Sequence, residues 1–158
     1  MARLRGFLLL TALVSACSGS STAPSAPPPA PAPVSVSILP LPAPDGPDTK
    51  TFGMELRNVS QSPVNLTFPS SCQLAAHIVD RGSGREVTPL GGGPACAAVI
   101  THLPLAVSTS LVFTVIVNSG DAPVSNLIVV PPGDYMIYTS LEDDKYRLKS
   151  DRMSFTLR

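Results

Sequence analysis

The chain has 158 residues, room for one domain plus appendages. Basic and acidic side chains balance at 11 each, and from residue 17 onward 9 basic face 11 acidic groups, a net of about −2. That excludes a nucleic-acid or anionic-lipid partner held by bulk charge. Eighteen prolines and no tryptophan suit short strands and turns better than helices.

Residues 1–16 read as a bacterial lipoprotein signal peptide: Arg3 and Arg5 are the basic start, residues 6–14 the apolar core, and Ser15 and Ala16 the small residues before cleavage. The apolar run is too short to span a bilayer. Val14-Ser15-Ala16-Cys17 resembles a lipobox, which implies a lipidated Cys17. Several acyl chains anchor far better than one, since each buried methylene adds about 0.8 kcal/mol. Ser18, where an aspartate would mark retention, points to the outer membrane within the cell envelope. Residues 17–33 carry six prolines among serine and alanine. Such a stretch has little to bury and is expected to be a disordered tether, reaching about 3.1 Å per residue in polyproline form.

From residue 34 onward the period is two. Val34, Val36 and Ile38 alternate with serines, and the prolines from Pro40 to Pro47 suggest an edge strand or a switch between sheets. Phe52, Met54 and Leu56, then Val64, Leu66 and Phe68, alternate with polar residues around a turn at 58–63, and predict a central hairpin. Leu74, Ala76 and Ile78 form a further strand, a turn follows at 80–84, and 85–90 reads as a short returning strand. After the loop at 91–94, residues 97–101 are expected as a short strand. Residues 110–117 are the most apolar strand and are expected centrally, 127–130 is a short apolar run, 135–141 places Tyr135, Ile137, Thr139 and Leu141 on one face, and Met153, Phe155 and Leu157 close the domain. Short strands at near-regular spacing predict an all-β antiparallel sandwich over 34–158.

With Cys17 assigned to lipid, Cys72 and Cys96 are an even pair in an oxidising compartment, and a structural disulfide is expected. It would close about 25 residues and add roughly 3 kcal/mol on the chain-entropy model. It would also pin the 91–94 loop to the end of the central hairpin.

The order 52–58 plus 62–68, Ile78-Val79-Asp80 with Gly84-Arg85-Glu86-Val87, and Pro132-Gly133-Asp134-Tyr135 resembles the BsuPI family of intracellular proteinase inhibitors over residues 50–158. The resemblance implies an immunoglobulin-like sandwich and suggests proteinase inhibition.

No nucleophile elbow, Walker loop, HExxH or CxxC is present, and no enzyme activity or cofactor is expected. His77 and His102 are too few for a metal site with the two cysteines, and neither sits in a triad pattern; His77 is expected as a surface-facing strand residue. Glu142, Asp143, Asp144 and Asp151 lack calcium-loop spacing and are expected at a solvated hairpin tip. Asn58 and Asn65 sit in glycosylation sequons but are expected as a turn asparagine and an outward strand position. The expected function is a membrane-anchored protein-binding module, with proteinases among its partners. Its expected contact loop is 81–96, with Arg81 or Arg85 as specificity residue and the disulfide as brace. A purely structural envelope lipoprotein is the alternative.

Overall fold

A computed structural model describes residues 31–42, 46–90, 95–120 and 127–158, all within one compact unit, Pro31–Arg158. The signal segment, Cys17 and the tether up to residue 30 lie outside the described residues, as does the 91–94 loop.

Among the described residues there are nine strands and no helix. They are β1 (Val34–Pro40), β2 (Thr49–Asn58), β3 (Val64–Phe68), β4 (Leu74–Asp80), β5 (Thr101–Leu105), β6 (Ser110–Asn118), β7 (Leu127–Val129), β8 (Gly133–Leu141) and β9 (Met153–Leu157). One sheet has the order β1-β2-β6-β7, a second β4-β8-β9, and β3 and β5 pair as a short ribbon. All pairs are antiparallel except β6 with β7. The chain is an immunoglobulin-like β-sandwich.

Alternation fixes which face is buried. Phe52, Met54 and Leu56 of β2, Val115 and Val117 of β6, Ile137 and Leu141 of β8, and Phe155 and Leu157 of β9 join one apolar core. Phe52 of the first sheet meets Phe155 of the second edge-on, with ring centroids 5.2 Å apart, and the Tyr135 ring lies 5.6 Å from Phe155. β1 takes the edge, one of the two positions that its prolines allow, and β6 the interior position that its hydrophobicity implies.

The motif at 132–135 has a packing cause. Tyr135 donates its hydroxyl to Pro131 O at 2.6 Å, a tyrosine corner. Its ring folds back so closely that a Cβ on Gly133 would lie 3.1 Å from the ring and its hydroxyl oxygen.

Three sequence expectations are corrected. β2 and β3 do not pair: β2 lies between β1 and β6, while β3 pairs with β5, so residues 59–63 carry the chain out of one sheet and into the ribbon. Period-two alternation sets the buried face of each strand but says nothing about its neighbour. Residues 85–90 form no strand; a single bridge joins Glu86 to Val79. The strand expected at 97–101 lies instead at Thr101–Leu105, because Leu103 and Leu105 can face the core beside Leu66 and Val64, whereas 95–100 is exposed throughout.

Candidate functional site

The end of the sandwich where β3 leads into β4 is closed by the Cys72–Cys96 disulfide, with Cα atoms 5.5 Å apart. Beside it, Ser71 N donates to Ala97 O at 3.0 Å and Ala97 N to Ser71 Oγ at 2.9 Å. Thr101 Oγ1 donates to Ser70 O at 2.9 Å. Residues 95–100, Ala-Cys-Ala-Ala-Val-Ile, are thus fixed at both ends yet exposed along their whole length. Val99 is 50% and Ile100 67% exposed, the latter the most exposed large apolar side chain described. Val99 N donates to Ala97 O at 2.8 Å, a γ-turn that makes Ala98 the apex. Among the described residues, the main-chain groups of Ala98 and Ile100 have no hydrogen-bond partner. An apolar recess of about 240 Å³, lined by Met54, Cys72, Leu74, Phe113 and Ile128, adjoins the disulfide.

Arg81 and Arg85 lie elsewhere. Both are exposed, on the turn after β4. β4 has seven residues, which at about 3.3 Å each separates this turn from the disulfide by roughly 20 Å. The disulfide therefore does not brace it, contrary to expectation. The brace is Asp80: Oδ1 accepts from Ser83 N at 2.7 Å and Ser83 Oγ at 2.6 Å, while Gly84 N donates to Asp80 O at 2.8 Å and Asp80 N to Arg85 O at 3.0 Å. Gly84 has φ +68°, which a side chain would resist. Donation from the Ser83 hydroxyl and then its N–H holds the Asp80 carboxyl below its usual value. The result is a compact knob that presents both arginines, with no extended strand at its tip.

On the outer face of β4 and β8, His77 has partners that its strand neighbours do not reveal. Nδ1 lies 2.7 Å from Glu86 Oε1, Nε2 lies 2.7 Å from Ser140 Oγ, and the ring stacks on Tyr138 at 4.6 Å. His77 faces outward, as expected, and these partners leave it half-buried. Carboxylate, imidazole and hydroxyl follow one another as in a hydrolytic triad, beside a pocket of about 410 Å³. Two contacts oppose that chemistry. Ser140 Oγ also donates to Glu142 Oε1 at 2.6 Å, so its proton is directed to a carboxylate instead of to the ring, and an oxyanion forming there would meet a negative charge. The next two main-chain N–H groups are committed, Leu141 N to Leu148 O and Glu142 N to Gln73 O. The cluster acts as a clamp that ties 86 and 142 to β4 and β8. Tyr138, buried beneath it and facing the Glu86 charge, has its phenol pushed up.

Asp143 corrects the expected solvated tip. It is buried, Oδ2 accepting from Thr67 N at 3.0 Å and Oδ1 from Lys145 N at 2.8 Å and Tyr146 N at 3.1 Å. A carboxylate that accepts three backbone N–H bonds joins β3 to the β8–β9 turn. No group of three potential metal ligands occurs among the described residues. Asn58 is the turn asparagine expected and Asn65 an exposed strand position.

No protein-family model matches the chain, nor does any curated protein. Among solved structures, it is similar to a β-glucosidase from Kluyveromyces marxianus in complex with glucose, at 10% identity and TM-score 0.40 over 79% of this chain. It is also similar to β-glucuronidase 2 of Bacteroides uniformis covalently bound to cyclophellitol-6-carboxylate aziridine, at 15% identity and TM-score 0.37 over 79%. The chain spans only 14% and 13% of those two chains, and neither likeness bears on its activity.

Proposed function

We propose that this chain is a lipoprotein of the bacterial cell envelope, held to the outer membrane through lipid on Cys17, whose sandwich is a non-enzymatic protein-binding module. The observation that carries the binding role is the exposed 95–100 segment, fixed at both ends by the disulfide and by Ser70 and Ser71. Exposed apolar side chains on a preorganised segment lose little entropy on binding and leave water favourably. Proteinases are the favoured partners, by resemblance to the BsuPI family. The Asp80-braced knob with Arg81 and Arg85 is a second rigid contact surface.

The anchor is tested by growing cells with radiolabelled palmitate. Label on the wild-type chain and none on C17S, with C17S recovered in the soluble fraction, is the expected result; equal labelling or none at all overturns the anchor. The non-enzymatic role is tested with a fluorophosphonate probe, which is expected to leave Ser140 unlabelled. Labelling that disappears in S140A would instead make the His77 cluster a hydrolytic site.

A further inference from the structure

We propose that residues 95–100 occupy the substrate cleft of an endoproteinase that selects small aliphatic side chains, and that Ala98 sits in its primary specificity pocket. This deepens the binding reading above and rests on it.

A peptide held in a proteinase cleft needs exposed side chains in sequence, main-chain groups free to pair with the cleft wall, and a backbone fixed before contact. The 95–100 segment has all three. Its six residues are exposed. Ala98 and Ile100 have main-chain groups without partners among the described residues, and Ala98 is the apex of the turn closed by Val99 N and Ala97 O. The Cys72–Cys96 bond, the Ser71–Ala97 pair and the Thr101–Ser70 bond fix the flanks.

The side chains set the class of cleft. The run Ala97-Ala98-Val99-Ile100 contains no charge and no ring. An acidic pocket built for arginine would keep a buried, unpaired carboxylate against Ala98, and a deep pocket built for an aromatic ring would stay largely empty. A shallow apolar pocket is filled by a methyl group. Val99 and Ile100 then cover apolar surface beyond it. No bond forms or breaks in this complex; it blocks the cleft by occupying it.

The test is inhibition of three serine proteinases, of elastase, trypsin and chymotrypsin type, by the oxidised chain from residue 17 carrying C17S. The expected result is stoichiometric inhibition of the elastase-type enzyme, weakened at least tenfold in V99D and in I100D and lost on reduction. Melting temperatures of the two variants should match the parent, since both positions are exposed. A98R should move inhibition to the trypsin-type enzyme. Inhibition that survives both aspartate variants overturns the proposal. So does a folded chain that leaves the elastase-type enzyme active. Trypsin-type inhibition lost in R85A would also overturn it, while leaving the binding module intact and moving its contact to the Asp80 knob. If none of the three enzymes is inhibited, the binding reading is decided separately, by in-cell crosslinking of the lipidated chain through a photoreactive residue at 81 and at 99. A specific adduct at 81 alone keeps the module, and no adduct at either position overturns both.

Discussion

Asn58 bears more of the fold than any other polar side chain described. It is 1% exposed. Its Nδ2 donates to Ser62 O at 2.9 Å and to Leu105 O and Ala106 O at 3.1 Å, while Oδ1 accepts from Ser60 N at 2.9 Å and Ser60 Oγ at 2.8 Å. One amide therefore joins the end of β2, the crossing to β3 and the β5–β6 turn. N58A leaves several of these main-chain groups unpaired in the interior and is expected to cost about 2–4 kcal/mol, read as a lower urea midpoint at unchanged slope. Two kinds of titrating residue couple stability to pH. Asp80 is held below its usual value by Ser83, so the unfolded chain takes up that proton first; its contribution is complete above about pH 4 and is lost as pH falls through the folded value. Tyr135 and Tyr138 are pushed up, chiefly by burial and then by Asp80 and Glu86 respectively. The unfolded chain gives up those protons first, so their contribution is complete below about pH 10 and is lost above it. Denaturant titrations should place a stable plateau between about pH 4 and pH 10, and D80N should make the acid-side slope shallower. A plateau that ends near pH 8 would contradict this assignment.

At the scale of elements, the turns hold the arrangement. The β5–β6 turn closes through Thr109 N to Ala106 O at 3.2 Å, and Ser108 adopts φ 60° within it. A left-handed conformation costs a side-chain-bearing residue about 1–2 kcal/mol, which glycine avoids at some expense in unfolded-state entropy. S108G is therefore expected to raise stability by about 0.5–1 kcal/mol, measurable as a melting temperature a few degrees higher; a decrease would show that the Ser108 side chain compensates for its backbone. The β2–β3 connection illustrates why strand pairing was not readable. Residues 58–63 have turn chemistry in either case, but Asn58 directs the chain across the core by bonding to Leu105 and Ala106, 47 and 48 positions later. Local sequence carries no mark of those partners.

For the molecule as a whole, the disulfide ties the β3–β4 connection to the exposed segment ahead of β5. Reduction should lower stability by roughly 3 kcal/mol on the loop-closure model, leaving the sandwich folded because the Phe52, Tyr135 and Phe155 cluster lies elsewhere in the core. Urea unfolding with and without reductant checks both statements. A reduced chain that loses its far-ultraviolet strand signal in water would mean that the core alone is insufficient. The same comparison separates stability from contact function. Reduction is expected to loosen the 95–100 segment, leaving its hydrogen bonds to Ser70 and Ser71, while the Asp80 knob, braced by its own hydrogen bonds, keeps its shape.

The sequence by itself determined the class of fold, the buried face of most strands, the interior position of β6 and the pairing of the two cysteines, and it narrowed β1 to an edge or a switch between sheets. Each follows from local or compositional physics: alternation at period two, proline's missing donor, hydrophobicity, and an even pair of cysteines after residue 17. Tertiary structure alone decided that β2 and β3 part, that residues 95–100 leave the sheet, that His77 joins Glu86 and Ser140, and that Asp143 is buried beneath Thr67. Those outcomes depend on groups that lie 9, 63 and 76 positions apart in the chain. Glu86 lies close to His77 in sequence, but Ser140 and Asp143 reach His77 and Thr67 only through the tertiary fold, so no short window of sequence shows either cluster.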